Sequence, residues 1–254
     1  MTGTDGTKIR LRGVEKSFDG HPVLRGIDLE IGEGDSLAVI GGSGVGKSVL
    51  LKHMIGLLEP DAGTVEVDGV DLASLDFREI TRFRLRFGMS FQEGALFDSM
   101  TVWENIAFPL RRARRAKGEI RERVAECLEM VRLEGAEEKM PSELSGGMRR
   151  RVGFARAIAL EPEILLLDEP TTGLDPVISA VIDELILEMR DRLHATTVMI
   201  SHDMTSAFRV GERIGMLHDG RIIALASPDE FRRLDDPRVR QFLERKAEGP
   251  LTED

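Results

Sequence analysis

The chain has 254 residues, 41% of them hydrophobic and 31% charged, which is enough to bury one sizeable core and leaves room for an inserted lobe. A net charge of -10 repels nucleic-acid backbones, and the single cysteine, Cys127, excludes an internal disulfide framework or a cysteine zinc cluster and fits a reducing compartment. The N-terminus carries no apolar signal region and no apolar run approaches the ~20 residues of a membrane-spanning helix, so work at a membrane would need a partner to hold the chain there.

In chain order, Ile27, Leu29 and Ile31 alternate as a half-buried strand does and predict an antiparallel edge layer. The apolar runs 36–40 and 164–167 predict strands of a parallel core buried on both faces. A glycine-rich turn after Ile40 leads into helical spacing over 47–58 through Leu50, Leu51, Met54, Ile55 and Leu58. From 91 to 162 the pattern is mostly helical, with Ile120, Val124, Leu128 and Val131 on one face. Arg111, Arg112, Arg114, Arg115 and Lys117 sit at the start of one helix-like stretch. They read as a solvated face, with an acidic partner surface or anionic lipid headgroups as the alternative. A helix over 176–190 and a strand over 196–201 predict a right-handed crossover, and His218, Asp219 and Gly220 a hairpin turn. Ser227, Pro228 and Glu230 form a capped helix start, and Asp236 and Pro237 repeat the signal before a short apolar stripe of Val239, Phe242 and Leu243 that would dock onto something. The expected fold is α/β, with a mainly parallel core sheet, an antiparallel β layer and an inserted α-helical subdomain. The expected lobes are 1–92 with 162–226 (core), 93–161 (helical) and 227–254 (C-terminal extension).

Gly41, Gly42, Ser43, Gly44, Val45, Gly46, Lys47 and Ser48 fit the phosphate-binding pattern G-x-x-x-x-G-K-[ST] between a buried strand and a helix. Glycines let backbone N–H groups curl around phosphate oxygens, and the helix N-terminus adds partial positive charge. Lys47 is placed to neutralise the β- and γ-phosphates and Ser48 to ligate Mg²⁺. Asp168 and Glu169 follow the strand 164–167, where ligands of open α/β sheets bind; Asp168 can hold Mg²⁺ and Glu169 can polarise an attacking water. Leu144, Ser145, Gly146, Gly147 and Met148 precede a basic helix and make a second anion-binding helix start.

With these motifs in this order, the chain resembles the ATP-binding cassette family, whose dimers sandwich ATP between the phosphate loop of one subunit and the LSGG signature of the other. The resemblance implies further roles. Phe18 would stack on adenine, Gln92 would touch Mg²⁺ or water and couple to a transmembrane partner, Asp175 would lie on the loop that crosses the dimer interface, and His202 would face the γ-phosphate. Val49 stands where a second hydroxyl is common and Met148 where a glutamine is usual, which puts one α-phosphate contact and one ribose contact in doubt.

Residues 90–110, SFQEGALFDSMTVWENIAFPL, with GKSV and LSGGM, resemble the ATPase of the maintenance-of-lipid-asymmetry and mammalian-cell-entry transporters. That resemblance implies ATP and Mg²⁺ as cofactors and a homodimer on the cytoplasmic face of the bacterial inner membrane. The dimer would be held there by an integral permease, with a mammalian-cell-entry substrate-binding protein, a STAS-domain regulator and no nucleic acid among its partners. It also implies that the segment after Pro237 crosses to the neighbouring ATPase. A soluble non-transport cassette such as the iron-sulfur cluster assembly ATPase is the alternative.

Overall fold

Local chemistry accounts for most element boundaries in the computed structural model, which describes residues 6–91 and 94–252. Through residue 74 the order is β1 (Thr7–Phe18), β2 (His21–Gly32), β3 (Ser36–Ile40), α1 (Lys47–Met54), β4 (Ala62–Val67) and β5 (Val70–Asp71). Then follow α2 (Phe77–Phe83), β6 (Phe87–Ser90), α3 (Val102–Arg112), α4 (Lys117–Met130), α5 (Gly146–Ile158), β7 (Ile164–Asp168), α6 (Pro176–Leu193) and β8 (Thr196–Ile200). The chain closes with α7 (Met204–Val210), β9 (Arg213–His218), β10 (Arg221–Ala226), α8 (Pro228–Phe231) and α9 (Pro237–Glu244). Residues 1–74 with 200–254 pack as one unit, and 75–199 as another.

In the first unit, β2-β1-β4-β5 form an antiparallel sheet. Its alternation buries Ile9, Leu11 and Val14 of β1 and Leu24, Ile27, Leu29 and Ile31 of β2. Every residue of β3 is buried, as the unbroken apolar run predicts, and β3 pairs in parallel with β9. β9 returns through an antiparallel hairpin to β10, with Asp219 (φ 46°) and Gly220 (φ 70°) both left-handed, the requirement of the tight turn that the sequence indicates. The helix expected over 47–58 is shorter. It ends at Met54 because Gly56 (φ 68°) turns the chain out of it. The helix after Asp236 likewise stops at Glu244, where Arg245 takes φ 53°. In this single chain the segment after Pro237 folds onto its own unit, with Val239 and Gln241 buried.

In the second unit β6 and β7 pair in parallel, and β7 neighbours β8, to which α6 connects it. α3 starts on a capping box between Thr101 and Glu104. α3, α4 and α5 pack through Ile106, Leu110, Val124, Leu128, Phe154 and Ile158. Arg123 on α4 donates to the carbonyls of Ile158 (2.9 Å) and Ala159 (3.1 Å), satisfying the open end of α5. The basic cluster does not share one helix. Arg111 and Arg112 end α3, Arg114 (φ 59°) breaks the chain, and Lys117 opens α4. Among the described residues no helix is long and apolar enough to cross a membrane.

Candidate nucleotide site

In the first unit the buried strand β3 delivers the chain to the loop 41–46, and α1 begins directly at Lys47. Two glycines are required by the geometry. Gly41 (φ 155°) lies so close to β9 that a Cβ would meet the Leu217 carbonyl oxygen at 2.3 Å, and at Gly46 (φ 102°) it would meet Val23 Cγ1 at 2.9 Å. Gly42, Ser43 and Gly44 are exposed between them. The buried Lys47 ammonium donates to the carbonyls of Gly41 (3.0 Å) and Gly42 (2.8 Å), so the positive charge is held over the loop's own backbone. Ser48 follows within the first turn of α1, and Val49 lends its carbonyl to His53 Nδ1 at 2.7 Å.

His202 lies just beyond β8. Its turn is fixed because Ser201 N–H donates to Val39 O (3.1 Å), Asp203 N–H to Ser201 Oγ (2.9 Å), and Asp203 caps α7 through Thr205 N–H (2.9 Å). His202, Gly41, Gly42, Ser43 and Val45 line one cavity of about 590 Å³. Phe18, at the end of β1, is 42% exposed with the Lys16 ammonium 5.7 Å from its ring centroid, which leaves an aromatic face open for stacking.

In the second unit, β7 ends at Asp168, and Glu169 takes the left-handed φ of 51°, which turns the chain sharply out of the strand. The Thr172 hydroxyl donates to Glu169 Oε2 at 2.8 Å and orients that carboxylate. The loop in turn is anchored by the buried Arg150 of α5, which donates to the carbonyls of Pro170 (3.0 Å) and Thr172. Ser145 caps α5 by accepting from Met148 N–H (3.2 Å), which leaves its own O–H to be donated, with Gly146 and Gly147 opening the helix. Gly146, Arg149, Arg150 and Thr172 share a cavity of about 640 Å³. Asp175 caps α6 through Val177 and Ile178 N–H (3.0 Å each).

Gln92 lies outside the described residues, but the segment next to it is firmly held. Arg156 donates to the carbonyls of Gly94 (2.7 Å) and Ala95 (2.9 Å), and burial pulls its pKa below the usual guanidinium value. A Cβ at Gly153 would stand 2.8 Å from Gly94 Cα, so α5 and this segment touch backbone to backbone. Thr172, Arg150 and Arg156 lie outside the phosphate-loop, signature and carboxylate motifs. Thr172 carries a signal in hindsight, a hydroxyl three residues after the carboxylate it serves; the two arginines act on backbone carbonyls, which leave no trace in a linear pattern.

The profile described as ABC transporter matches residues 24–172, a span running from β2 through the phosphate loop and α5 to Thr172. The chain belongs to the ABC transporter family. It is an ATP-binding subunit of that family and an ATPase, with the α/β cassette fold of its structural neighbours. It is 40% identical over 97% of its length, and 71% of the relative's, to the probable ribonucleotide transport ATP-binding protein mkl of Mycobacterium leprae. It is also 40% identical over 89% of its length, and 86% of the relative's, to the intermembrane phospholipid transport system ATP-binding protein MlaF of Haemophilus influenzae. The dimeric post-hydrolysis structure of the ATP-binding cassette MJ0796, bound to ADP and Pi, superposes with a TM-score of 0.80 at 34% identity, covering 87% of this chain and 98% of that one. ABC cassettes thus act as dimers, and a subunit of such a transporter associates peripherally with the membrane.

Proposed function

We propose that this ABC cassette powers a bacterial envelope transporter for phospholipid or a related lipid, and that it reaches the inner membrane through an integral permease. The observation that carries the lipid reading is the likeness to MlaF across most of both chains, together with the resemblance of residues 90–110 to lipid-transporter ATPases. The relative named for ribonucleotide transport is what makes the cargo a matter for experiment.

In the proposed reaction, Phe18 stacks on adenine, the amides of Gly41 to Gly46 and the Lys47 ammonium bind the phosphates, and His202 meets the γ-phosphate. Glu169, steadied by Thr172, accepts a proton from the attacking water as the water oxygen bonds to the γ-phosphorus and the bond to the β-phosphate oxygen breaks in line, leaving ADP and phosphate; such a transfer is catalysed by positioning and charge neutralisation. Ser145, Gly146 and Gly147 of a second copy close on the nucleotide, with Asp175 at the same interface, and Gln92 couples the site to the permease. The helical lobe 93–161 is the surface we assign to that contact. Val49 offers no hydroxyl to the α-phosphate.

Ser48, Asp168 and Gln92 would hold Mg²⁺. The fit is chemical: all three residue types offer oxygen donors, the ligands Mg²⁺ takes beside substrate phosphates. When bound, it neutralises charge on the transferring phosphate.

The test is co-purification. A multi-spanning permease should be captured with the tagged chain, and ATP hydrolysis by the reconstituted complex should rise with phospholipid in the bilayer. A complex that moves or responds to nucleotides instead would overturn the lipid assignment, and isolation with iron-sulfur assembly proteins and no permease would overturn the transport assignment. A STAS-domain regulator and a mammalian-cell-entry protein are further expected components of the same preparation.

A further inference from the structure

Residues 237–252 are a folded strap, built around one buried side chain. α9 buries Gln241, whose amide holds the segment 246–252. Its Nε2 donates to the Lys246 carbonyl and to Thr252 Oγ1 (3.3 Å each), and its Oε1 accepts from Leu251 N–H at 2.7 Å. Gly249 (φ 143°) passes so close that a Cβ would meet Gln241 Oε1 at 2.7 Å. Burying an amide this way stabilises only if its donors and acceptor are satisfied, and here the partners are the strap's own backbone and hydroxyl.

The strap carries Arg245 and Lys246 to the cavity that Gly41, Gly42, Ser43 and His202 line. Among the described residues no carboxylate lines this cavity. The Arg245 side chain has no ion-pair partner among the described residues, while Lys246 shares Glu244 (2.6 Å) with Arg240 (3.5 Å). Met204, Met216, Phe242 and Leu251 supply the apolar part of the lining, while Arg245 and Lys246, beside His202 and the phosphate-loop glycines, give it the positive charge that suits an anion with several charges. Phe18 and Ser48 are not part of the lining, whereas His202 is, so the strap comes to the loop from the side assigned to the end of the phosphate chain.

We propose that Arg245 and Lys246 are nucleotide-binding residues that contact the terminal phosphate of a triphosphate, making the strap 237–252 a reader of ATP against ADP. This rests on the nucleotide reading of the phosphate loop. Binding of a triphosphate draws Lys246 from Glu244 onto the phosphate and engages Arg245, and the diphosphate offers neither contact. Both cations are exposed, so their removal leaves the fold intact.

The experiment measures binding of a non-hydrolysable ATP analogue and of ADP to the full chain, with Mg²⁺ present throughout. The Arg245→Ala/Lys246→Ala double variant should bind the triphosphate about 5- to 30-fold more weakly and ADP within about twofold of normal, the size of effect that one or two charge-assisted contacts give. Loss of both nucleotides in equal proportion, or of neither, overturns the proposal. Gln241→Leu, which releases the strap, should lose the same preference. Hydrogen exchange on the unaltered chain gives an independent reading: the Leu251 amide should be protected more by the triphosphate analogue than by ADP, and equal protection counts against the strap. Lys47→Ala separates the two levels. If it loses both nucleotides while the double variant keeps its preference, only the strap assignment fails; if it binds like the parent, the phosphate-loop reading falls first.

Discussion

Replacing Thr172 by valine removes a hydroxyl while nearly keeping the side chain's outline, and so isolates one contact to the proposed catalytic carboxylate. The Thr172 Oγ1 to Glu169 Oε2 bond is 2.8 Å, and both residues are half-buried. Hydrogen bonds to charged groups contribute about 1.5–3 kcal/mol, and partial exposure sets the expectation at the lower end, about 1.5 kcal/mol or close to tenfold in rate. Phosphate release under ATP saturation should therefore fall by about tenfold in Thr172→Val while KM changes by less than about twofold, because Thr172 is assigned no contact with ATP. Thr172→Ser, which retains the hydroxyl, should recover most of the loss. If valine and serine variants turn over alike, or if the defect lies in KM, Thr172 does not position Glu169.

Glu169→Gln should keep ATP binding, trap the closed dimer and abolish turnover, as read by gel filtration and phosphate release; near-normal hydrolysis would remove Glu169 from the role of base. Gly46→Ala should lower the melting point and weaken nucleotide binding, since a left-handed alanine costs about 1–2 kcal/mol before the 2.9 Å contact with Val23 is counted. Asp236 caps α9 and is held at a pKa of about 2, chiefly by its hydrogen bond from Arg238, so its stabilisation is complete above its unfolded pKa of about 3.9 and fades as pH falls toward 2. The unfolding free-energy gap between the parent and Asp236→Ala, read from denaturant melts, should thus be constant from pH 5 to 8 at about 1 kcal/mol and narrow in acid. Burial pushes the Cys127 thiol up to about 11, so alkylation at pH 8 should be slow in the folded chain and fast in urea; rapid native labelling would place that thiol at the surface.

Much of this architecture is written locally. The strand, glycine turn and helix around Lys47 are legible because the apolar run, the glycines and the helical spacing agree, and the hairpin at Asp219–Gly220 because both positions need left-handed backbone. The break at Arg114 was not legible, since an arginine at φ 59° carries no sequence mark of the kind glycine gives. Nor was Gln241 legible as a buried residue. A polar side chain goes inside only when its partners are waiting, and those partners come from five to eleven residues further along a segment with no pattern of its own. Arg150 and Arg156 were hidden for the same reason, as both act on carbonyls that any residue can supply.

The approach of Gly153 to Gly94 has a mechanical meaning. Where elements meet through side chains, a small push is absorbed as rotamers turn, much as worn gears take up slack before they drive. Here there is no side chain to turn: main chain bears on main chain, and Arg156 bolts the same joint from beside it. A displacement of the segment at Gly94 is delivered without backlash to the helix that Ser145 caps.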